Sequence, residues 1–165
     1  MDEQEDKNSI LIFAYIDDSE TPFTIKVGDI KQVRPTSSEP YKELRSNNNG
    51  LVYLENLPTG LYKMISVGGP DKNILSDTTW TTHFPEPSED PAFKRLELKA
   101  KKPGLYFLGS YKIDKVKDGG FFGTDRFETI AIKKPSEKEV LKQLVEYAKD
   151  TKWESIINRR IRQLK

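Results

Sequence analysis

The stretch Ser9–Asp17, SILIFAYID, constrains the chain more than any other. Ile10, Ile12, Ala14 and Ile16 fall on one alternation of a strand, and Leu11, Phe13 and Tyr15 on the other. Successive strand side chains point to opposite faces, so here neither face can be left to water. The longest apolar run, residues 10–16, is far short of the roughly 20 residues that a membrane-spanning helix needs. The stretch therefore predicts a central strand buried on both sides.

Short strands and turns follow as far as residue 134. Residues 17–22 (DDSETP) form a turn by content, and 23–34 alternate through Ile25, Val27, Ile30 and Val33, with Gly28 marking a bulge where the phase slips. Residues 35–50 read as a polar connection ending in the tight-turn pair Asn49-Gly50. Strands are then predicted over 51–57, 61–69, 74–84, 93–101, 105–116 and 126–134, separated by Pro- and Gly-rich turns. No helical pattern intervenes. The expectation is a mainly β protein, an antiparallel β-sandwich of about 7–8 strands over residues 9–134, behind a disordered spacer at 1–8.

The period changes in the tail. Val140, Leu141, Leu144, Tyr147 and Ala148 make one helical face, and Trp153, Ile156, Ile157, Ile161 and Leu164 another. The step from Ala148 to Trp153 is out of phase on one continuous helix, which places a break near Asp150 and Thr151. Ser136 with Glu139, and Thr151 with Glu154, have capping-box spacing. Two short helices over 135–165 are expected, packed on the sandwich or on each other.

One phrase occurs twice. NLPTGLYKMISVGG (56–69) returns as KKPGLYFLGSYKI (101–113). In each, proline presets one turn dihedral, glycine supplies another, and a tyrosine follows at the start of a strand. A tyrosine there can bury its ring and send its hydroxyl to an upstream backbone group, as in the tyrosine corner of sandwich folds. Pro58, Gly60 and Tyr62, and then Pro103, Gly104 and Tyr106, are thus expected to be turn and corner residues rather than a duplicated binding site.

GLVYLENLPTGLYKMISVGG also resembles the G-x-φ-x-φ-x-x-L-P-x-G-x-Y signature (φ apolar) of transthyretin-like domains, including the carboxypeptidase regulatory-like and collagen-adhesin B-type domains. Gly50, Val52, Leu54, Leu57, Pro58, Gly60 and Tyr62 match it. The second phrase is similar to the P-G-x-x-Y-Y-φ-G strand of small bacterial envelope lipoproteins. The resemblance covers roughly residues 10–134 and leaves the C-terminal helices outside the module. It implies an exported, extracytoplasmic domain of the bacterial envelope, in the outer membrane or periplasm, that touches the membrane only through a lipid anchor outside this chain. The acidic opening after Met1 fits either a cytosolic start or a chain whose leader has been removed.

Composition narrows the chemistry. The chain of 165 residues has no cysteine, which excludes disulfides, thiolate catalysis and any Cys-containing zinc site. Its 27 basic residues against 26 acidic ones lack the basic excess of a nucleic-acid binder. His83 is the single histidine. Asp77 and several threonines lie near it in sequence, but no nucleophile elbow does, so a hydrolase using His83 is the weakest reading. The carboxylates at 17–20 lack EF-hand spacing, and the glycines of KDGGFFGTD lack the P-loop lysine. No metal and no cofactor is expected.

What remains is contact with another macromolecule, a protein or a polysaccharide. Trp80, Tyr111 and the adjacent Phe121 and Phe122 are the candidate exposed aromatics, with His83 beside them. A carbohydrate-binding module uses a flat row of exposed rings, and here Trp80 with the Phe121-Phe122 tip would be that platform. Arg159, Arg160, Arg162 and Lys165 suit the negative end of a helix dipole, or contact with an anionic lipid or polymer. A non-enzymatic domain with a binding or structural role is the expected function.

Overall fold

The structure, a computed structural model, describes residues 1–2, 8–17, 19, 27–34, 41–46, 49–70, 79–85, 90–117 and 126–165. The strands are β1 (Ile10–Asp17), β2 (Val27–Arg34), β3 (Tyr41–Ser46), β4 (Leu51–Leu57), β5 (Gly60–Pro70), β6 (Thr79–His83), β7 (Glu97–Ala100), β8 (Gly104–Lys117) and β9 (Arg126–Ile132). A 3₁₀ turn at Pro91–Leu96 precedes β7, and the helices α1 (Glu137–Tyr147) and α2 (Lys152–Gln163) close the chain.

Hydrogen bonds run along the path β6-β5-β2-β3-β4-β1-β8-β9, and β7 pairs with the first half of β5. Every pair is antiparallel except β1 with β8, which is parallel. The two ends of the path, β6 and β9, come against each other without pairing. The strands thus fold over into two facing layers, and the fold is β-sandwich-like with two C-terminal helices.

β1 lies at the centre and is covered on both sides. Ile10, Ile12, Ala14 and Ile16 enter a core with Val52, Leu57, Tyr62, Met64, Val67, Leu108, Tyr111, Ile113 and Phe127. Leu11 and Phe13, on the other face, enter a second core with Leu51, Val140, Leu141, Leu144, Ala148, Trp153 and Ile157. Each fully buried side chain of this size contributes about 1.5–3 kcal/mol, more than any surface cap or ion pair. The helices are therefore held chiefly by covering the outer face of β1 and β4.

Three register slips keep apolar side chains on the inner face. β4 carries one extra residue between its partners for Ile10 and Ile12, and Asn56 there takes a left-handed φ of 56°. β8 carries one between its partners for Phe13 and Tyr15, with Gly109 at φ 130°. β5 slips between its partners for Asp29 and Ile30. Each slip converts a spacing of three into same-face neighbours: Leu54 and Leu57, Leu108 and Tyr111, Met64 and Val67.

Several expectations are corrected. Residues 41–46, read as part of a polar connection, form β3, because backbone pairing with β2 and β4 does not depend on an apolar pattern. The stretch expected as a strand over 93–101 begins as the 3₁₀ turn instead. Asp90 accepts the Ala92 N–H at 2.8 Å, Pro91 stands at the first turn position, and Phe93 and Leu96 then fall on one buried side. In the predicted strand 74–84, only Thr79–His83 lies in a described strand, and 71–78 are outside the described residues. Met1 packs on the helix-side core and the Asp2 N–H donates to Glu55, while residues 3–7 lie outside the described residues.

The tail breaks where its periodicity does. α1 ends at Tyr147, Asp150 takes φ 64°, and α2 starts at Lys152. At the start of α1, the Glu139 carboxylate accepts from the Ser136 N–H at 2.6 Å and its hydroxyl at 2.7 Å. The second box is not formed as expected. Glu154 accepts from the Asp150 N–H, and the Thr151 hydroxyl turns back to the Ala148 carbonyl, since the tight left-handed turn brings that carbonyl within reach.

Gly109 and the two repeated tyrosines make this frame testable. A Cβ at Gly109 would lie 2.7 Å from the Tyr111 hydroxyl, on a backbone that disfavours any side chain. Gly109→Ala is expected to cost about 2 kcal/mol or more, read from urea denaturation. Tyr62 donates to the Pro58 carbonyl at 2.6 Å and Tyr106 to the Lys102 carbonyl at 2.7 Å. Tyr62→Phe should lose about 1 kcal/mol by the same measurement. Tyr106→Phe should lose less, because its bond is exposed and water can replace the hydroxyl.

Candidate binding groove

Of the sequence-predicted aromatics, Tyr111 alone has its side chain among the described residues. Tyr111 is 1% exposed, stacks on Phe93 at 5.6 Å, meets Phe84 edge-on at 5.3 Å and donates to the Leu108 carbonyl. It is a core residue that braces the Gly109 bulge, which corrects its assignment to a binding surface. Trp80 pairs through its backbone with Gly69 in β6, and its side chain lies outside the described residues. Phe121 and Phe122 also lie outside them. The side chains of the expected carbohydrate platform, Trp80, Phe121 and Phe122, therefore all lie outside the described residues.

His83 ends β6. Thr82 and Phe84 point inward and are buried, so Thr81 and His83 fall on the outward alternation and are exposed. The His83 ring makes no hydrogen bond to a described residue, and no group of three metal-ligating side chains occurs among the described residues.

The repeated turns have a structural role at opposite strands. Leu57 enters the core, Pro58 is exposed, and Gly60 opens β5 opposite Ala100. Burial pushes the Tyr62 hydroxyl up to about 12, so it stays a neutral donor. Pro103 is exposed, Gly104 takes φ 137° and opens β8 opposite Ile10, and Tyr106 ties the turn to Lys102.

The second turn also forms one wall of a groove. Pro103, Leu105, Tyr106 and Phe107 line one side of a cleft of about 450 Å³, and Ile156, Arg159, Arg160 and Gln163 of α2 line the other, with Glu137 at one end. Leu105 and Phe107 are on the face of β8 opposite Leu108, toward the helices, and each remains only half-buried. Ile156 is likewise half-buried. Leu105, Phe107 and Ile156 thus make an apolar floor in a cleft that is otherwise lined mainly by polar and charged groups.

The rim is charged and partly fixed. Glu137 holds Arg160 through two bonds, Nε to Oε1 at 2.8 Å and Nη2 to Oε2 at 3.3 Å. Lys138 Nζ donates to the Leu164 carbonyl at 2.6 Å and ties the end of α2 to the start of α1. Arg159 is exposed and makes no ion pair with a described residue. The basic cluster was visible in the sequence; its position above an apolar floor was not. The signal for the floor was Leu105 and Phe107, apolar on the alternation that Tyr106 and Leu108 do not use.

No protein-family model and no curated protein matches the chain. Among solved structures, it is similar to 3-chlorocatechol 1,2-dioxygenase from Rhodococcus opacus 1CP, with a TM-score of 0.27 at 14% identity. That match covers 78% of this chain and 60% of the dioxygenase chain. The chain thus spans less than two thirds of that neighbour's length, and a superposition this loose transfers no chemistry. No described helix is long and apolar enough to cross a membrane.

Acid should act on the helix pair through Glu139. Its hydrogen bonds from Ser136, with a further one from Lys134, lower the carboxyl from 4.5 to about 2. A depressed folded-state pKa stabilises the fold fully above the unfolded value and is lost as pH falls through the folded one. Glu139→Gln keeps an acceptor but carries no charge to titrate. Its thermal midpoint is expected to fall less than that of the parent protein between pH 4.5 and about 2, followed by circular dichroism.

Proposed function

We propose that the chain is a non-enzymatic domain of the bacterial cell envelope, with a binding or structural role, held to the membrane through a lipid anchor outside this chain. The observation that carries the reading is the turn at residues 57–62. Leu57 is buried in the sandwich, Pro58 offers its carbonyl, Gly60 opens β5, and Tyr62 reaches back to Pro58 with its ring fully buried. These four, with Gly50, Val52 and Leu54, are the seven residues through which the chain resembles transthyretin-like domains. Tyr106 repeats the device on β8, the strand whose phrase is similar to that of small envelope lipoproteins.

The arrangement of polar groups supports a non-catalytic role. Several of the described hydroxyls and carboxylates, those of Tyr62, Tyr106, Ser136, Glu139 and Glu154, are engaged in holding turns and helix ends. The groove beside α2 presents an apolar floor and guanidinium groups, a set suited to contact rather than to bond breaking.

Fractionation of cells expressing the epitope-tagged native gene tests the address. The product is expected in the envelope fraction and in the detergent phase of a Triton X-114 partition. Recovery in the cytosol and the aqueous phase would rule the proposal out.

A further inference from the structure

Charge on this protein is unevenly placed. The whole chain carries +1, yet residues 152–165 hold five basic side chains, Lys152, Arg159, Arg160, Arg162 and Lys165, against the single acid Glu154. Glu154 is engaged with the Asp150 N–H, and Glu137 neutralises Arg160. Arg159 and Arg162 remain exposed without an ion pair to any described residue. Across the groove, the exposed Lys101 and Lys102 directly precede Pro103. The apolar floor thus lies beside the guanidinium groups of Arg159 and Arg160, and two exposed lysines flank the turn on its other side.

We infer that this groove docks an extended acidic segment of a partner protein, which sets a carboxylate on Arg159 and an apolar side chain on the floor of Leu105, Phe107 and Ile156. This rests on the binding reading proposed above and names its partner class. A planar guanidinium takes a carboxylate through paired hydrogen bonds, and an apolar side chain beside it gains by leaving water. Extended peptides are recognised in this way, by a charged anchor next to a side-chain pocket. An anionic bilayer fits less well. A membrane surface is entered by apolar side chains that stand out from the protein. Here the apolar atoms lie half-buried at the bottom of a cleft. The exposed large hydrophobics among the described residues, Val116, Ile130 and Tyr147, do not line it.

Fluorescence anisotropy with the full chain tests the inference. The probes are a fluorescein-labelled peptide of repeating Glu-Leu-Asp-Ser and a counterpart with Lys in place of each acid. The acidic peptide should bind and the basic one should not. R159E/R162E should weaken binding about tenfold or more, as expected for lost charge-assisted hydrogen bonds. K101E/K102E, next to Pro103 on the opposite side, should weaken it in the same sense and replaces the first variant if that one misfolds. Lys149→Glu, with half the charge change of either double variant, at an exposed site paired with Glu146 before α2, should leave binding unchanged. Absence of acidic-peptide binding overturns the docking surface, as does an equal loss with Lys149→Glu. Sedimentation with phosphatidylglycerol vesicles that is as strong as peptide binding, and as sensitive to R159E/R162E, overturns it in favour of a membrane surface. Envelope fractionation decides the parent reading separately, so an envelope protein that binds no peptide loses only this inference.

Discussion

Burial of both faces of β1 is the constraint on which the remaining architecture depends. A strand apolar on both alternations cannot sit at the surface of a two-layer sandwich, because one face would remain wet. The fold meets this by giving its inner face to the opposite layer and its outer face to α1 and α2. β4 and β8 flank β1 and must obey the same two-sided division. Leu51 goes outward and Val52 inward on one, and Phe107 outward and Leu108 inward on the other. The Phe13 and Phe107 rings, 5.2 Å apart, mark where neighbouring strands present the same outer face to the helices.

That division explains the bulges. β4 and β8 each carry one residue more than β1 requires, and both extra residues occur where the apolar spacing changes from two to three. Without the slip, Leu57 would turn outward on β4, and Tyr111 and Ile113 on β8. Gly109 can adopt φ 130° at little cost, and Tyr111 then lies over it with its hydroxyl on the Leu108 carbonyl. The backbone irregularity and the aromatic packing of the core are one arrangement seen from two sides.

Much of this was legible because local chemistry and burial agree. Residues 9–17 declare their own burial, the step from Ala148 to Trp153 declares a break, and each Pro-Gly-Tyr phrase carries its turn and its hydroxyl partner within a few residues. β3 was not legible, since its pairing comes from strands on either side rather than from a pattern of its own. Pro91–Leu96 misled because Phe93, Leu96 and Leu98 combine a spacing of three with one of two, and the Asp90 cap decides between them. Tyr111 resembled a surface aromatic until the Gly109 bulge returned it to the inner face. The groove was invisible for a different reason. Leu105 and Ile156 are far apart in sequence, and only the docking of α2 makes them neighbours.

The same docking gives the groove its stiffness. α2 is seated by Trp153 and Ile157, both fully buried, so the backbone that carries Arg159 is fixed by core packing rather than by surface contacts. Glu137 removes Arg160 from competition by holding it in a two-point bond, and Lys138 closes off the carbonyl of Leu164. On the other wall, Tyr106 ties the turn that carries Lys101, Lys102 and Pro103 to the first residues of β8. A site built from two such braced elements loses little conformational freedom when a ligand enters, and what it does not lose in ordering appears as affinity. The helices that β1 requires for cover therefore also supply a braced surface beside β8. Structural necessity and the proposed docking surface meet on α2, whose inner face completes the core and whose outer face carries the charge.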